Sequence, residues 1–381
     1  MINMKFGTKL IHNGNEIDEE TGALSIPIYQ ASTYHQRDID SFGKYDYSRS
    51  GNPTREALEN TIAQLENGYR GFAFSSGMAA TSSVLSIFSA GDHIIICEDV
   101  YGGTYRITTK VLSRFNIEFT FVDASNLDNI KAAVRENTKA IFLETPSNPL
   151  LKITDLKGAI EIAKSNELIV IVDNTFMSPY LQKPLDLGAD IVVHSATKFI
   201  GGHSDVVGGL AVAKTEDLAN RIYAIQNSFG AILGPHDCWL LLRGLKTLKV
   251  RLDVHQQTAE KLSRWLVKRE EVEAVYYPSL EGHPGRDIHL AQASGGGAVL
   301  SFRLKSLDLT KYFLNNIENA AFAVSLGGVE TIVSYPAKMS HAAIPREERE
   351  KLGVTDTLIR VSVGLEEFED LIESFDKALN I

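Results

Sequence analysis

A lysine in the segment HSATKFIGGHS, residues 194–204, is placed where it could act as a nucleophile. Lys198 follows a β-branched run and the hydroxyl residues Ser195 and Thr197, and two glycines come soon after it. Glycines let the backbone approach a ligand closely. Desolvation in such a pocket favours the neutral, nucleophilic form of an amine. The alternative is a lysine that ends a strand and extends into solvent.

A second segment, GFAFSSGMAATSSVL at residues 71–85, could bind an anion. An apolar strand runs there through a turn of small residues into a helix rich in Ala and Ser. Free N–H groups and the dipole at a helix N-terminus favour phosphate, and Ser75, Ser76 and Gly77 leave it room. The segment lacks the glycine spacings of the Walker and dinucleotide-binding motifs, and an ordinary helix cap is the alternative.

Asp173 directly follows the apolar run LIVIV, so a buried strand would deliver its carboxylate to the edge of a sheet. A buried carboxylate is costly unless it has a partner, which a structural ion pair or a helix cap would also supply. An anion cradle, a strand-end carboxylate and a strand-end lysine are together the set that pyridoxal phosphate requires. They would bind its phosphate, bind its ring nitrogen and form its Schiff base.

Four short β-branched runs predict strands that are buried on both faces of a sheet. They occupy residues 93–99, 140–148, 168–176 and 190–198. Helical patterns separate them, and one helix is expected to open at Thr154. This alternation predicts an α/β fold with a parallel or mixed sheet. Ligands bind beyond the carboxyl ends of such strands, where Glu144, Asp173 and Lys198 would converge.

The chain is long enough for two domains, because single cores stop growing near roughly 250 to 300 residues. Residues 1–60 show little periodicity and are interpreted as an N-terminal arm, and residues 61–250 as a cofactor-binding α/β domain. Residues 251–381 are predicted to form a smaller C-terminal α/β domain. Its long amphipathic helix is expected at 252–272 and its strands at 294–304 and 356–366.

Composition argues against several classes of protein. The 381 residues include 38 Lys and Arg against 48 Asp and Glu, a formal charge of −10, whereas a nucleic-acid partner requires a concentrated basic surface. No apolar run has the length of a membrane span, the start does not resemble a signal peptide, and only two cysteines are present. These features predict a cytoplasmic protein. His194 and His203 are too isolated to predict a metal site.

Several motifs resemble those of the Cys/Met-metabolism enzymes that use pyridoxal phosphate. In order along almost the whole chain, they are YDYSRSGNPTR, SSGMAA, DVYGGTYR, ETPSNP, VDNTF, DIVVHSATKFIGGHS and LIRVSVGLE. The family includes cystathionine γ-synthases, cystathionine β- and γ-lyases and methionine γ-lyases. The resemblance implies a fold-type I enzyme, with a large, mainly parallel-sheet domain and a smaller C-terminal α/β domain. It also implies a homotetramer built from two active-site-sharing dimers.

The resemblance further implies roles for individual residues. Lys198 would form the Schiff base and act as catalytic base, Asp173 would bind the ring nitrogen, and Tyr101 would stack on the ring close to the substrate as a second catalytic residue. Tyr47 and Arg49 would reach the phosphate of the neighbouring subunit. The full set of implied cofactor-binding residues is Tyr47, Arg49, Gly77, Met78, Tyr101, Asn148, Asp173, Ser195, Thr197 and Lys198.

Three residues are implied to contact the substrate. Arg360 would anchor its α-carboxylate, a task suited to a bidentate guanidinium, with Ser325 and Val324 nearby. Many γ-synthases and γ-lyases show AESLGG where this chain has AVSLGG, so Val324 replaces a glutamate near the distal end of the substrate. This favours β-elimination of L-cystathionine to homocysteine, pyruvate and ammonia, a reaction of methionine biosynthesis. A γ-lyase, a γ-synthase or a methionine γ-lyase is the alternative.

Overall fold

The computed structural model describes residues 4–342 and 345–380. The strands are β1 (Arg70–Phe74), β2 (His93–Cys97), β3 (Glu118–Val122), β4 (Thr138–Glu144), β5 (Ile169–Asp173), β6 (Ile191–Ser195), β7 (Gly209–Ala213), β8 (Val272–Tyr276), β9 (Val299–Leu304), β10 (Ala321–Phe322), β11 (Ile332–Ser334) and β12 (Leu358–Ser362). The helices are α1 (Phe6–His12), α2 (Pro53–Glu66), α3 (Gly77–Leu85), α4 (Gly102–Lys110), α5 (Leu127–Ala133), α6 (Leu156–Ser165), α7 (Ser178–Leu181), α8 (Pro184–Leu187), α9 (Glu216–Phe229), α10 (Pro235–Leu245), α11 (Leu248–Leu266), α12 (Arg286–Gln292), α13 (Leu307–Asn316), α14 (Arg346–Lys351) and α15 (Phe368–Leu379).

The larger sheet has seven strands in the order β1-β7-β6-β5-β4-β2-β3. From β3 to β6 the neighbouring strands are parallel, whereas β7 runs antiparallel to both β6 and β1. Strands β2 and β7 are buried along their whole length, as expected of a sheet covered on both faces. The predicted α/β fold with a mainly parallel sheet is confirmed. Three of the four runs contain a strand of this sheet, and the fourth, 140–148, overlaps β4, which begins earlier at Thr138.

The smaller sheet has five strands in the order β10-β11-β12-β9-β8. Its pairs are antiparallel except β10 with β11. Three aromatic rings pack together in its core, with centroids 5.3 to 6.4 Å apart: Phe302 on β9, Phe313 on α13 and Phe375 on α15. Aromatic pairs at such separations add to the stability that burial supplies. This second sheet supports Arg360, which lies on β12.

The N-terminal segment before α2 contains α1 and otherwise turns and extended chain. It presents apolar side chains to solvent, among them Ile39 and Leu24, which are 85% and 75% exposed. The proposed domain boundaries at residues 60 and 250 fall inside α2 and α11, and the division into three parts stays a prediction.

Helix α6 begins slightly later than predicted. Its N-cap is Asp155, whose carboxylate accepts a hydrogen bond from the backbone N–H of Gly158, and Thr154 precedes the helix. The predicted start at Thr154 was therefore wrong by one residue, because Asp is also a preferred N-cap and competed with Thr for that position. None of the helices in the described part of the chain has both the length and the apolar character that crossing a membrane requires.

Candidate active site

A pocket of about 480 Å³ lies at the carboxyl ends of β4, β5 and β6. Loops from the smaller sheet and the start of α3 close its other sides. The predicted site residues that line it are Gly77, Met78, Tyr101, Asn148, Asp173, Ser195, Thr197, Lys198, Val324, Ser325 and Arg360. Folding therefore gathers residues from widely separated segments at the sheet edge where α/β proteins bind ligands.

Lys198 lies just beyond β6, with its side chain directed at the smaller sheet. Its Nζ donates a hydrogen bond to Oγ of Ser325, at 2.6 Å. Burial, and secondarily the guanidinium of Arg360, lowers the pKa of Lys198 from its ordinary 10.5 to about 8. A substantial fraction of this amine is thus neutral near pH 8, which is the form that attacks carbonyl carbon.

The lowered pKa of Lys198 can be measured directly. In cofactor-free protein we expect acylation of Lys198 by acetic anhydride, followed by peptide mass spectrometry, to show a midpoint at about pH 8. The amine is neutral in the folded chain between this pH and 10.5, where an unfolded lysine is still charged. Arg360→Met should move the midpoint upward, because it removes the neighbouring positive charge. A native midpoint near 10.5 would contradict the proposed desolvation.

Asp173 ends β5, and Thr175 holds its carboxylate. The hydroxyl and the backbone N–H of Thr175 both donate to Oδ1 of Asp173, at 2.5 and 3.0 Å. The same hydroxyl accepts the backbone N–H of Ser195 at 2.8 Å, which ties β5 to β6. Burial raises the pKa of Asp173. The sequence analysis missed Thr175, although Asp followed two residues later by an N–H donor is the spacing of an Asx turn.

The N-terminus of α3 meets the end of β6 at the pocket. Oγ of Ser76 caps the helix by accepting the backbone N–H of Ala79 at 3.0 Å. A Cβ added to Gly77 would lie 2.8 Å from Cβ of Ser195, so only glycine permits this approach. The N–H groups of the first helical turn have no acceptor within the helix, and at Gly77 and Met78 they line the pocket beside the Ser195 hydroxyl. This arrangement suits an anion.

Arg360 is buried and linked to both sides of the pocket. Its guanidinium donates to Oδ1 of Asn148 at 2.9 Å, to the carbonyl oxygen of Ser325 at 2.6 Å and to Oγ of Ser334 at 3.0 Å. Its Nε has no hydrogen-bond partner within the described residues. Burial lowers the pKa of Arg360 to about 10, and Glu144 and Tyr101 oppose this shift. These three hydrogen bonds hold the side chain in place between the two sheets.

Comparison with known proteins identifies the family. Residues 7–380 match the family model of the Cys/Met metabolism PLP-dependent enzymes. The chain belongs to this family. It is 56% identical over 377 residues to a cystathionine beta-lyase of Bacillus subtilis (99% of this chain, 97% of the relative) and 52% identical over 376 residues to a cystathionine gamma-lyase of the same organism (99% of each). The crystal structure of cystathionine gamma-lyase from Lactobacillus plantarum complexed with L-serine superposes with a TM-score of 0.96, at 48% identity and 98% coverage of each chain.

Membership of the Cys/Met metabolism family confirms the predicted cofactor, pyridoxal phosphate, and the fold-type I architecture. The pocket fits this cofactor in charge and in shape. Asp173 is a partly buried carboxylate that lines the pocket, with no Lys or Arg within 4 Å among the described residues, and a protonated ring nitrogen would supply the missing cation. The glycine at the start of α3 leaves room for a phosphate, and Lys198 supplies the amine.

Two predicted cofactor-binding residues lie outside this pocket. Tyr47 and Arg49 are exposed on the N-terminal arm, with the Arg49 guanidinium 5.6 Å from the centre of the Tyr47 ring. Arg49 donates to the backbone carbonyl and side-chain oxygens of Asn227, at 2.8 and 3.2 Å. Their binding to the phosphate of a neighbouring subunit stays a prediction, as does the homotetramer.

His194 and His203 take part in other contacts. Nε2 of His194 bonds to Oε1 of Glu66 at 2.6 Å, and Nδ1 of His203 bonds to the carbonyl oxygen of Gly201 at 2.8 Å. Over residues 4–342 and 345–380, no three or more His, Cys, Asp and Glu side chains form a group that could hold a metal ion.

Several residues that line the pocket were not assigned to the site from the sequence. They are Thr81, Thr175, Phe176, Val207, Leu326, Ser334, Met339 and Ser340. Glu144, which the sequence placed at this edge without a role, also lines the pocket. It ends β4 in register with Asp173 on β5. Burial and the neighbouring Asp173 raise the pKa of Glu144.

Proposed function

We propose that this chain is a carbon–sulfur lyase that cleaves L-cystathionine by β-elimination, in methionine biosynthesis. One water is consumed, and the products are homocysteine, pyruvate and ammonia. Family membership and the similarity to cystathionine lyases support the assignment as a pyridoxal-phosphate-dependent cystathionine lyase. The side chain at position 324, which faces the open part of the pocket, is the observation that favours β-elimination over γ-elimination.

The contacts of the pocket support a defined set of roles for holding the cofactor. The first N–H groups of α3, at Gly77 and Met78, and the hydroxyls of Ser195 and Thr197 would bind the phosphate. Asp173 would pair with the ring nitrogen. The hydroxyl of Thr197 accepts the backbone N–H of Gly208 at 3.0 Å, which fixes its oxygen at the pocket wall. Its O–H, which donates to the Gly208 carbonyl here, would turn to donate to the phosphate. These residues lie on strand ends and a helix terminus, which are rigid supports for a catalytic group.

Asn148, Tyr101 and Lys198 surround the space left for the ring. When bound, pyridoxal phosphate withdraws electrons from the α-carbon of an amino acid attached to it, so that this carbon can lose a proton. The neutral amine of Lys198 is the group placed to take that proton. The hydroxyl of Ser325 fixes its Nζ by the hydrogen bond at 2.6 Å, which keeps the base in one orientation.

Arg360 would orient the substrate by binding its α-carboxylate. Its contacts with Asn148, Ser325 and Ser334 hold the guanidinium before substrate arrives, which lowers the entropic cost of binding. The α-carbon would then lie toward Lys198, because the backbone and hydroxyl of Ser325 contact Arg360 and Lys198 respectively. A sulfur on the β-carbon can leave once the α-proton has been removed.

Val324 lies at the pocket rim and is 65% exposed. The carboxylates among the described residues that line the pocket, Glu144 and Asp173, lie at the sheet edge and not at this rim. The distal ammonium of cystathionine therefore has no acidic partner at position 324. Cystathionine γ-lyase is the second candidate, because relatives of that name are 52% and 48% identical to this chain.

The keto acid formed from L-cystathionine distinguishes the two reactions. β-Elimination gives pyruvate, and γ-elimination gives 2-oxobutyrate. We expect pyruvate to predominate with the native protein and the Val324→Glu variant to raise the ratio of 2-oxobutyrate to pyruvate about tenfold, which corresponds to about 1.4 kcal/mol between the two barriers. Chromatography of the keto acids would measure the ratio.

Val324→Gln is the matched control, because it has the size of the glutamate variant without its charge. It should leave the product ratio within about twofold of the native value if the carboxylate is the cause, since less than 0.5 kcal/mol is then at stake. Predominant 2-oxobutyrate from the native protein would instead establish the γ-lyase alternative, with the cofactor and family unchanged.

A further inference from the structure

Glu144 carries a buried carboxylate that none of the roles above employs. It is 6% exposed, and no Lys or Arg nitrogen of the described residues lies within 4 Å of it. Its Oε2 accepts the backbone N–H of Tyr101 at 2.9 Å. A buried carboxylate that bonds to a backbone N–H of another loop connects its own strand to that loop.

Tyr101 depends on its backbone for its position. It is the N-cap of α4 but makes no side-chain capping bond, and its hydroxyl has no hydrogen-bond partner among the described residues. Its ring is 45% exposed and lies against the first turn of α4, where a Cβ added to Gly103 would come within 2.5 Å of the ring. The orientation of the Tyr101 ring therefore depends on the position of its backbone, and Glu144 accepts a hydrogen bond from the N–H of that backbone.

Asn148 lies on the segment that follows Glu144 and contacts the smaller sheet. Its Oδ1 accepts a hydrogen bond from the guanidinium of Arg360 at 2.9 Å. Glu144 therefore lies at the start of the segment that carries this contact.

We propose that Glu144 is a positioning residue, which fixes the ring of Tyr101 over the cofactor by accepting the backbone N–H of Tyr101. This rests on the proposed function, in which Tyr101 contacts the cofactor ring. It adds a group that neither touches cofactor nor exchanges a proton with substrate.

This role requires a hydrogen-bond acceptor at position 144 and does not require a negative charge there. Glu144 and Asp173 are neighbours in register, and burial together with Asp173 raises the pKa of Glu144. A neutral carboxyl group still accepts an N–H through its carbonyl oxygen. Glutamine presents the same carbonyl oxygen at the same distance from the backbone, whereas leucine presents none and leaves a buried N–H unsatisfied.

The dissociation constant of pyridoxal phosphate from cofactor-free protein, measured by fluorescence titration, tests the proposal. Glu144→Leu should raise it about tenfold, since an unsatisfied buried donor costs about that factor in affinity, and it should reduce the visible circular dichroism of the bound cofactor. Glu144→Gln should remain within about threefold of native, because it keeps the acceptor.

A double-mutant comparison separates positioning from general damage. Tyr101→Ala should weaken cofactor binding, and adding Glu144→Leu to Tyr101→Ala should weaken it little further. Glu98→Leu is the control, because Glu98 is a carboxylate near the same loop that pairs with Lys152 and does not line the pocket. It should bind the cofactor as the native protein does.

Glu144→Asp keeps a carboxyl group but shortens the side chain by one methylene. If the leucine variant does not fold, this variant tests whether the carboxyl oxygen must reach the backbone N–H of Tyr101. It should weaken binding and circular dichroism in the same direction. Native-like cofactor binding by Glu144→Asp or Glu144→Leu would overturn the positioning role. So would a double variant in which Glu144→Leu weakens cofactor binding as much in the Tyr101→Ala background as it does in the native protein. If Tyr101→Ala alone leaves the dissociation constant unchanged, the proposed contact of Tyr101 with the cofactor fails instead.

Discussion

Replacing Lys198 with Ala should lower kcat by more than the roughly 10²- to 10⁴-fold that loss of a general base costs. The larger effect is expected because the same amine would also attach the cofactor to the chain. Steady-state assay of keto acid release from L-cystathionine would measure the loss. Sodium borohydride treatment of the native protein should fix the cofactor covalently to the peptide that contains Lys198, and mass spectrometry would identify it.

Lys183 offers a matched control for this experiment. Burial also lowers the pKa of Lys183, but its Nζ lies 5.2 Å from the centre of the Phe6 ring and it does not line the pocket. Lys183→Ala should retain turnover close to native and should still be labelled at Lys198. Near-native turnover by Lys198→Ala, or borohydride labelling of another lysine, would refute the assignment of the catalytic amine.

Mixing two inactive variants should restore activity if the site is shared between subunits. Arg49→Ala would remove a phosphate ligand supplied by one subunit, and Lys198→Ala would remove the amine supplied by the other. In a hybrid dimer one site carries both substitutions and the other carries neither. Random assortment would then give hybrids in about half of the dimers, and hence native composition at about a quarter of the sites.

The exposure of Arg49 and Tyr47 outside their own pocket motivates this complementation experiment. The subunits should be mixed in mild denaturant and refolded together, with hybrid formation followed by native mass spectrometry. Two preparations of Lys198→Ala treated identically provide the baseline. Hybrids that form but show only baseline activity would contradict a site completed by Arg49 of a second subunit.

The sequence predicted the sheet core and the chemistry at its edge because both are local signals. Strands β2, β5 and β6 are rich in β-branched residues and β4 in other apolar ones, which is what burial on both faces of a parallel sheet selects. The residues that end β5 and follow β6 are consequently delivered to the same edge. Their positions at strand ends therefore predicted that Asp173 and Lys198 belong to one site.

The partners of these residues could not be predicted from local signals. Ser325, which bonds Lys198, is 127 positions away in the chain, and Asn148, which bonds Arg360, is 212 positions from it. Such pairs form only when the smaller sheet docks against the strand ends. Ser325 was named from family resemblance, and its hydrogen bond to Lys198 is visible only in the tertiary structure.

Thr175 and Glu144 illustrate the difference between contacts that a sequence can predict and contacts that it cannot. Thr175 was within reach of the sequence, because its bond to Asp173 spans two residues and belongs to a known turn. Glu144 was recognised as a strand-end residue, but its partner Tyr101 lies 43 positions earlier, on the loop after β2. The sequence by itself thus determined which side chains reach the carboxyl edge of the sheet. The alternation of strands with helices and the apolar runs of buried strands can both be recognised within short segments of the chain. Only the tertiary structure decided which of them meet, because strand order and the docking of the two sheets depend on packing across the whole chain.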